Sequence, residues 1–552
     1  MRPSPKHLMV VALGAASFGA AVAEGQLTVP AGNAEIPVTT PSAASAYQGA
    51  PAVASDAIGD VVVAWSQQSA TTGGSDIFVQ RYSIVLGAVS ASPASQVTVA
   101  SSACRQAPAV AVDGAGNFVV VWVTNESGVE AIMGQRYAST GQLSGGLISV
   151  SPPATTNQQA PAVAMAPDGR FLVVWQSAQA NGGWSVVGQA YAAGGAAAGS
   201  PITVNPSAAG TQHSPAVAYL PASAAAGERF EAVWQIEGQD GSGAAASGIL
   251  AAAFDANGNA LGGELAINAP ATGAHAHPRI AADPSGNFDV VWENVTTSAG
   301  STVLVRRFTA AGTPLSAPTP VDQTAAGSQR NPVVAADQYG FFVVSWDSLS
   351  VDGSGTAVLA QQFDNHGIAA GNPAALAVQI NATTAGDQGW PAVAADDAGD
   401  VFLLWQSVTP AVDQSTIAAR LAAVPSPAFY TIPPCRAVDT RNVNGPQGGP
   451  VLTSGQVRTF PIGGQCGVPP TARAVSVNET VVAPSGDGDV ILYPGDTARP
   501  TTSSINFSAG AVRANNGIFG LSRAGDGSLA VFPFVVNTGQ VHLIIDVNGF
   551  FQ

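Results

Sequence analysis

A pattern that runs from a proline to a tryptophan, repeated along most of the chain, sets the strongest limit on its fold. The copy at residues 108–122 reads PAVAVDGAGNFVVVW, and six further copies begin and end in the same way. The prolines are Pro51, Pro108, Pro161, Pro215, Pro278, Pro332 and Pro391, and the tryptophans are Trp65, Trp122, Trp175, Trp234, Trp292, Trp346 and Trp405. Successive tryptophans lie 53 to 59 residues apart, which indicates one supersecondary unit repeated seven times.

Each unit is predicted to contain four strands. The proline opens a short first strand, and the apolar, β-branched run that ends at the tryptophan predicts a second strand covered on both faces. Asp113 and Gly116, with their equivalents, supply the turn between the two strands. A third strand follows, as at 132–137, and a fourth precedes the next proline, as at 147–151. Seven units of four strands predict an all-β fold, a seven-bladed β-propeller.

The ends of the repeat predict how the propeller closes. Unit 7 stops at Leu421 without a fourth strand. Residues 36–40 precede Pro51 in the same way that the fourth strand of each unit precedes the proline of the next unit. A strand from the N-terminal end that completes the last blade removes an open sheet edge. We therefore expect the propeller to be closed by its N-terminal strand.

The residues outside the repeat divide the chain further. Arg2 and Lys6 precede an apolar run over residues 8–18, and small residues follow at 21–23, the pattern of a secretory signal peptide. The predicted domains are a signal peptide at 1–23, the propeller at 24–423, a linker at 424–427 and a C-terminal β-domain at 428–552. We expect an exported protein, extracellular, at the cell surface or periplasmic.

Charge and hydropathy exclude two classes of partner. The 552 residues carry a net charge of -16, which repels phosphate backbones, so no nucleic acid partner is expected. No stretch is long and apolar enough to predict a membrane span.

A ring of polar residues is the first candidate ligand site. These residues stand three positions before each proline, on the predicted crossing between blades: Gln48, Arg105, Gln158, Gln212, His275, Gln329 and Gln388. They either bridge the backbones of neighbouring blades or form a polar rim of the channel that binds a glycan or peptide. Asp240 and Asp352, in variable loops expected on the same face, are acidic candidates or simple turn residues.

Evidence for a metal, a cofactor or catalysis is thin in the sequence. The turn aspartates Asp56, Asp113, Asp283, Asp337 and Asp396 leave a calcium role possible, but one carboxylate per turn is better explained by turn formation. His213, His275 and His277 lack the cysteine or carboxylate spacing of a metal site, so no metal or cofactor is predicted. No motif of a serine hydrolase, zinc protease or phosphate-binding loop is present.

The last 125 residues carry motifs of their own. They are Asp439-Thr440-Arg441, the run 466–469 (CGVP), Asn506-Phe507, Ala514-Asn515 and the ending 546–551 (DVNGFF). They resemble a β-rich accessory domain at the C-terminal ends of many exported bacterial proteins, with Phe550 in place of its tyrosine. The resemblance implies a module for surface retention or matrix contact.

The propeller units are similar to repeats of large bacterial surface proteins. Alternating runs such as 474–482 predict a β-sandwich or jelly roll.

The cysteines fit an oxidising compartment. Cys435 and Cys466 flank the opening of the C-terminal domain and are expected to form a disulfide. Cys104 is then left over, and it is either a buried bystander, which we favour, or a reactive or intermolecular thiol.

Two functions remain open at this stage. We expect a non-catalytic, extracellular binding or scaffold protein whose propeller contacts a glycan or protein ligand and whose C-terminal domain anchors it. The alternative is a propeller hydrolase or lyase that acts on extracellular polysaccharide. A deep mouth with convergent carboxylates would favour the enzyme.

Overall fold

A computed structural model gives the fold of this protein. It describes Leu27, Val29, residues 34–39 and residues 47–551, apart from gaps at 57–58, 70–71, 86–87, 99–101, 127, 153–154, 181, 207–209, 224–225, 238–246, 269–273, 297–299, 323–326, 350, 366, 370–376, 397–398, 410–413, 424–428, 471, 498 and 523–526. The predicted signal peptide, the predicted linker and Asp240 therefore lie outside the described residues.

Units 3 to 7 each form a four-stranded antiparallel sheet, and units 1 and 2 are joined into one nine-stranded sheet by a single parallel bridge between Ser75 and Cys104. The first strands are β2 (Gln48–Ser55), β7 (Cys104–Val112), β11 (Gln158–Met165), β15 (Thr211–Leu220), β19 (Ala274–Ala282), β23 (Gln329–Ala336) and β27 (Asp387–Ala395). The second strands are β3 (Asp60–Gln68), β8 (Phe118–Asn125), β12 (Phe171–Ala178), β16 (Arg229–Glu237), β20 (Phe288–Thr296), β24 (Phe342–Leu349) and β28 (Asp400–Thr409).

The remaining strands complete each sheet on the side away from the first strand. The third strands are β4 (Ser75–Val85), β9 (Ala131–Tyr137), β13 (Trp184–Tyr191), β17 (Gly248–Phe254), β21 (Gly300–Phe308), β25 (Thr356–Phe363) and β29 (Gln414–Ala423). The fourth strands are shorter than predicted in most units: β5 and β6 (Ala88–Ala91, Ser95–Gln96), β10 (Ile148–Ser149), β14 (Ala197–Thr203), β18 (Leu265–Ala266), β22 (Thr319–Pro320), β26 (Val378–Gln379) and β1 (Ile36–Pro37).

The turn between first and second strands depends on its aspartate, as predicted. Asp113 Oδ1 accepts hydrogen bonds from the N–H groups of Ala115 and Asn117 at 2.9 Å, and Gly116 has φ 78°. The same bonds form at Asp283 and Asp337, so these carboxylates stabilise turns. Burial of the second strands on both faces is also confirmed, since residues 118–123 are at most 2% exposed.

Hydrophobic cores lie between successive sheets. In the described residues each unit shares a core with the next, and unit 7 shares one with unit 1, where Tyr82 packs on Phe402 at 5.3 Å. The first strands pack side by side in the same order, β27 against β2 included. We call this set of first strands the inner ring.

The predicted pairing of the N-terminal strand with the last sheet is confirmed. Ile36 pairs with Ala419 and Pro37 with Ala418 in antiparallel register, and Val38 N–H donates to Ile417 O at 3.0 Å. The Gln48 N–H also donates to Ser415 Oγ at 2.8 Å. The first and last parts of the repeat are thus joined through one sheet.

The C-terminal region forms two further sheets around one core. One contains β30 (Phe429–Asp439), β38 (Gln540–Phe551), β33 (Ala474–Val482), β36 (Arg513–Gly520) and β31 (Leu452–Thr453). The other contains β32 (Arg458–Pro461), β37 (Ser528–Val535), β34 (Gly488–Pro494) and β35 (Ile505–Phe507). Both contribute to one hydrophobic cluster. The predicted Cys435–Cys466 disulfide is confirmed, with the two Cα atoms 5.6 Å apart.

Helical structure is minimal in the described residues. It consists of one 3₁₀ turn, Val536–Thr538. Within that part of the chain no helix has the length and apolar character needed to cross a membrane.

Candidate functional site

A β-bulge shapes every first strand at the end where it begins. The ladder register shifts just before each proline, as between Gln106 and Ala109 in unit 2. The residue before the proline takes a left-handed conformation, with φ from 48° to 54° in all seven units. Because a bulge turns the strand locally, it changes which side chains face the sheet interior. We call this end of the sheets the mouth, and its seven left-handed residues the bulge positions: Ala50, Ala107, Ala160, Ser214, His277, Asn331 and Trp390.

The seven predicted rim residues lie beneath the mouth. Gln48, Arg105, Gln158, Gln212, His275, Gln329 and Gln388 are all at most 7% exposed. Gln158 and Gln212 accept hydrogen bonds from the indole N–H groups of Trp175 and Trp234 at 2.8 and 2.6 Å. Their side chains are therefore used inside the protein, and direct contact with a ligand stays a prediction.

In units 3, 4 and 5 the residue after the tryptophan reaches across to the next unit. Gln176 Oε1 accepts the N–H of Ser214 at 3.0 Å, so it caps the bulge of unit 4. We call these second-strand residues the post-tryptophan positions: Ser66, Val123, Gln176, Gln235, Glu293, Asp347 and Gln406. Two of the seven are carboxylates, and both lie in neighbouring units 5 and 6.

Glu293 connects units 5 and 6. Its Oε1 lies 2.9 Å from His277 Nδ1 and accepts the N–H of Asn331 at 2.7 Å. Glu293 is 5% exposed, whereas the His277 side chain is 48% exposed. The carboxylate is therefore held from two sides, with an accessible imidazole beside it.

Asp347 has a different environment. Burial raises the pKa of Asp347 to about 6, opposed by a hydrogen bond from the Asn331 side chain and the charge of Arg330, and reinforced by the nearby Glu293 charge. Its Oδ2 lies 3.9 Å from Arg330 Nη2, and its Oδ1 has no hydrogen-bond partner among the described residues. Asn331 therefore contacts both carboxylates, Glu293 through its backbone and Asp347 through its side chain.

An arginine follows the proline of unit 5, where five other units have alanine and one has valine. Arg279 is exposed to solvent, yet desolvation lowers its pKa, with the Glu293 charge acting in the opposite direction. Its guanidinium donates to Pro278 O at 2.9 Å.

Exposed aromatic side chains border the same sector. Trp390, at the bulge position of unit 7, is 60% exposed with φ 53°, an unusual conformation for a bulky residue. Gly389 precedes it, and a Cβ there would lie 3.4 Å from Asp347 Oδ2. Tyr47, 52% exposed, covers Gly49 in the adjoining unit 1.

The remaining candidates from the sequence lie elsewhere or are satisfied locally. Cys104 is exposed, so the prediction of a buried bystander is wrong; it begins β7 at a strand end, where side chains face solvent. Asp352 Oδ1 accepts the Ser354 N–H at 3.1 Å, the turn role predicted for it. His213 Nε2 lies 3.0 Å from Glu237 Oε1, and His275 Nδ1 accepts the Trp292 indole N–H at 3.1 Å.

Sequence reasoning missed the residues that the structure brings together. Glu293, Asp347, Asn331, Arg279 and Trp390 were not singled out. A signal for them exists in the aligned repeats: the bulge positions are alanine in units 1 to 3 but histidine, asparagine and tryptophan in units 5 to 7. Departures from a repeat that cluster in one sector indicate a function there.

Comparisons with known proteins concern the fold. No family model matches the sequence and no curated protein matches it, so the resemblance of the C-terminal domain to an accessory family stays a prediction. Among solved structures, the chain is similar to a protein of unknown function from Dyadobacter fermentans, at 13% identity over 58% of this chain and 94% of that chain, with a TM-score of 0.42.

Two glycoside hydrolases are similar at a lower level. An α-L-arabinofuranosidase from Podospora anserina matches at 12% identity over 50% of this chain and 95% of that chain, with a TM-score of 0.30. A family 43 arabinoxylan arabinofuranohydrolase from Bacillus subtilis matches at 12% identity over 71% of this chain and 95% of that chain, with a TM-score of 0.27. The shared feature is an all-β fold of many small sheets of the propeller type.

These matches correct the first functional prediction. The expectation of a non-catalytic binding or scaffold protein is wrong, because the similar structures of assigned activity are glycoside hydrolases, in line with the alternative. At such low identity the likeness concerns the fold alone. Any chemistry has to be argued from the side chains at the mouth.

Proposed function

We propose that the repeat forms a seven-bladed β-propeller closed by its N-terminal strand, followed by a C-terminal β-sandwich. Three features support the ring: the core shared by units 7 and 1, the packing of β27 on β2, and the pairing of β1 with β29. Two sheets around one core support the sandwich. The leader-like residues 1–23 and the disulfide support export.

We propose that the protein is a glycoside hydrolase that acts on an extracellular polysaccharide. The observation that carries this proposal is the pair of buried carboxylates, Glu293 and Asp347, held on adjoining units by one residue, Asn331. Glycosidases cleave with two carboxyl groups in unlike environments, one protonated and one ionised.

The two environments assign the roles. Asp347, whose pKa is raised by burial, is the proton donor to the leaving sugar oxygen. Glu293, engaged by the Asn331 N–H and by His277, is the second carboxylate, acting on the anomeric carbon or on a water molecule. Trp390, exposed beside Gly389, offers a flat apolar face on which a sugar ring stacks.

An activity screen tests the proposal directly. We expect the full-length protein to release reducing ends from at least one plant or microbial polysaccharide. Asp347→Asn and Glu293→Gln should each lower kcat by about 10²- to 10⁴-fold, because both substitutions keep the shape of the side chain but remove the carboxyl group. Wild-type activity should fall as pH rises through about 6, because Asp347 then loses the proton that it has to donate.

A matched control separates catalysis from the structural role of the same position. Gln176→Ala removes a post-tryptophan side chain in unit 3, away from units 5 and 6, and should leave kcat within about twofold while lowering stability by about 1 kcal/mol. Full activity in Asp347→Asn, or absence of turnover on every polysaccharide, would reject the enzyme.

A further inference from the structure

Positive charge is scarce in this protein, and two exposed arginines lie in one sector of the mouth. The chain has 19 lysines and arginines against 35 aspartates and glutamates. Arg279 and Arg330 nevertheless stand in units 5 and 6, beside the carboxylates Glu293 and Asp347. The residue equivalent to Arg279 is alanine or valine in every other unit, so the repeat itself does not require a cation there.

Arg279 retains donors that the fold does not use. A guanidinium group has five N–H donors, and the hydrogen bond of Arg279 runs to a carbonyl of its own strand, Pro278 O. It forms no ion pair with a carboxylate among the described residues, although Glu293 is close enough to influence its pKa.

Arg330 supplies a second cation. Its side chain is 48% exposed, and its contact with Asp347, at 3.9 Å, is longer than a hydrogen bond. With Asp347 protonated, as general acid catalysis requires, this sector holds two guanidinium groups against the single carboxylate of Glu293. Asp387, exposed nearby in unit 7, is used by the Thr356 N–H at 3.1 Å. The charges of Glu293 and Asp387 balance the two guanidinium groups, so the sector is not positive overall, but both arginines are accessible to an anionic group.

We infer that the substrate carries carboxylate groups, as a polysaccharide containing uronic acid does, and that Arg279 and Arg330 recognise them. This inference rests on the proposed function and names the substrate class of that same site. Arginine suits the role because its planar fork binds a carboxylate through two parallel hydrogen bonds. A uronate on Arg279 accepts hydrogen bonds from the donors that the fold leaves unused, and an adjoining sugar stacks on Trp390.

Binding to an inactive variant tests the inference apart from turnover. Full-length Asp347→Asn is titrated by calorimetry with polygalacturonate, alginate and glucuronoxylan, each beside its carboxyl-reduced, neutral counterpart. We expect at least one acidic polymer to bind at least tenfold more tightly than its neutral form. Adding Arg279→Gln should weaken that binding by about tenfold or more, as loss of a charge-assisted hydrogen bond predicts.

Two control variants show whether the effect belongs to the mouth. Arg170→Gln removes a partly exposed arginine that pairs with Asp168 and Glu228 at the opposite end of the sheets, and it should leave binding unchanged. Arg279→Lys keeps the charge but loses the fork, so it should restore only part of the affinity. Unchanged binding of the acidic polymer in Arg279→Gln, as in Arg170→Gln, would overturn the inference.

The outcomes distinguish the inference from the proposed function. Hydrolysis of neutral polysaccharides alone, with Arg279→Gln fully active, would overturn the inference and leave the hydrolase intact. Preferential binding of an acidic polymer without hydrolysis of any would support the charge recognition and reject the hydrolase. Equal binding of acidic and neutral polymers would overturn the inference whatever the activity.

Discussion

At the residue scale, two buried acids have raised pKa values for the same reason but lie in unlike places. Asp347 lies at the mouth beside Arg330, whereas Glu479 lies inside the C-terminal core and is 0% exposed. Burial raises the pKa of Glu479 to about 7, and a hydrogen bond from Ser504 Oγ at 3.0 Å opposes the rise only in part. Its Oε1 has no partner among the described residues. Among the described residues Glu479 has no neighbouring cation comparable to Arg330, which indicates a cost to stability instead of a catalytic role.

Glu479 predicts how the stability of the C-terminal domain depends on pH. Because the folded-state pKa lies above the usual value of 4.5, the protonated carboxyl contributes fully to the free energy of unfolding below pH 4.5. This contribution is lost as the pH rises through about 7. The loss amounts to about 3 kcal/mol at most. Glu479→Gln should remove this slope, so its melting temperature should exceed that of the wild type at pH 8. If the melting temperatures of Glu479→Gln and the wild type differ by the same amount at pH 5 and at pH 8, the prediction is wrong. Asp487→Asn, which changes an exposed loop residue, is the control and should leave the pH dependence of the wild type unchanged.

At the element scale, the bulge explains both what the sequence predicted and what it did not. Regular alternation puts residues two apart on one face of a strand, so the positions three and one before the proline should face the same way. The bulge breaks this alternation, and Gln388 is buried while Trp390 is exposed. The repeat length and the apolar second strands could be predicted because both are periodic. The contact of Glu293 and Asp347 through Asn331 could not, because it depends on a local backbone irregularity and on packing between units.

The closing strand gives an element-scale prediction. Val38 is 8% exposed and packs in the core shared by units 7 and 1, next to the hydrogen bond between Thr39 Oγ1 and the Ile417 N–H. Val38→Asp should lower the free energy of unfolding by about 3 kcal/mol, because it buries an unpaired charge. Denaturant unfolding measures this. Pro37→Ser, at an exposed neighbouring position, should change it by less than about 0.5 kcal/mol, and equal effects of the two would argue against a packed closing strand.

At the scale of the whole molecule, the C-terminal region docks on unit 6. The Arg473 guanidinium lies 3.7 Å from the ring centre of Phe341 and 5.4 Å from that of Tyr339. Burial lowers the pKa of Arg473. A cavity of about 310 Å³, lined mainly by apolar side chains such as Ile518 and Phe551, lies beside this contact. The docking face is on the turn side of unit 6, so it leaves the mouth open to a polymer.

Removing the stacked arginine should loosen this docking. Arg473→Ala is expected to weaken the contact by about 1 to 2 kcal/mol, the range of a desolvated cation–π pair. Small-angle scattering should then report a larger radius of gyration, with the proposed hydrolytic activity retained. Arg499→Ala is the matched control, since Arg499 stacks on Phe532 at 3.9 Å within the C-terminal region itself. An unchanged radius in Arg473→Ala would show that other contacts hold the two parts together.

The pairing of β1 with β29 also has a consequence for biosynthesis. Thr39 leaves the ribosome early, but its partner Ile417 follows 378 residues later. At about 5 to 20 residues per second, the wait is roughly 20 to 80 seconds. The sheets of units 1 to 6 can assemble one after another as they emerge. Strand β1 can pair with β29 only when translation of the repeat has finished. During that interval the newborn chain exposes an unpaired strand edge, so a chaperone that shields such edges should raise the yield of the full-length protein more than that of a fragment without β1.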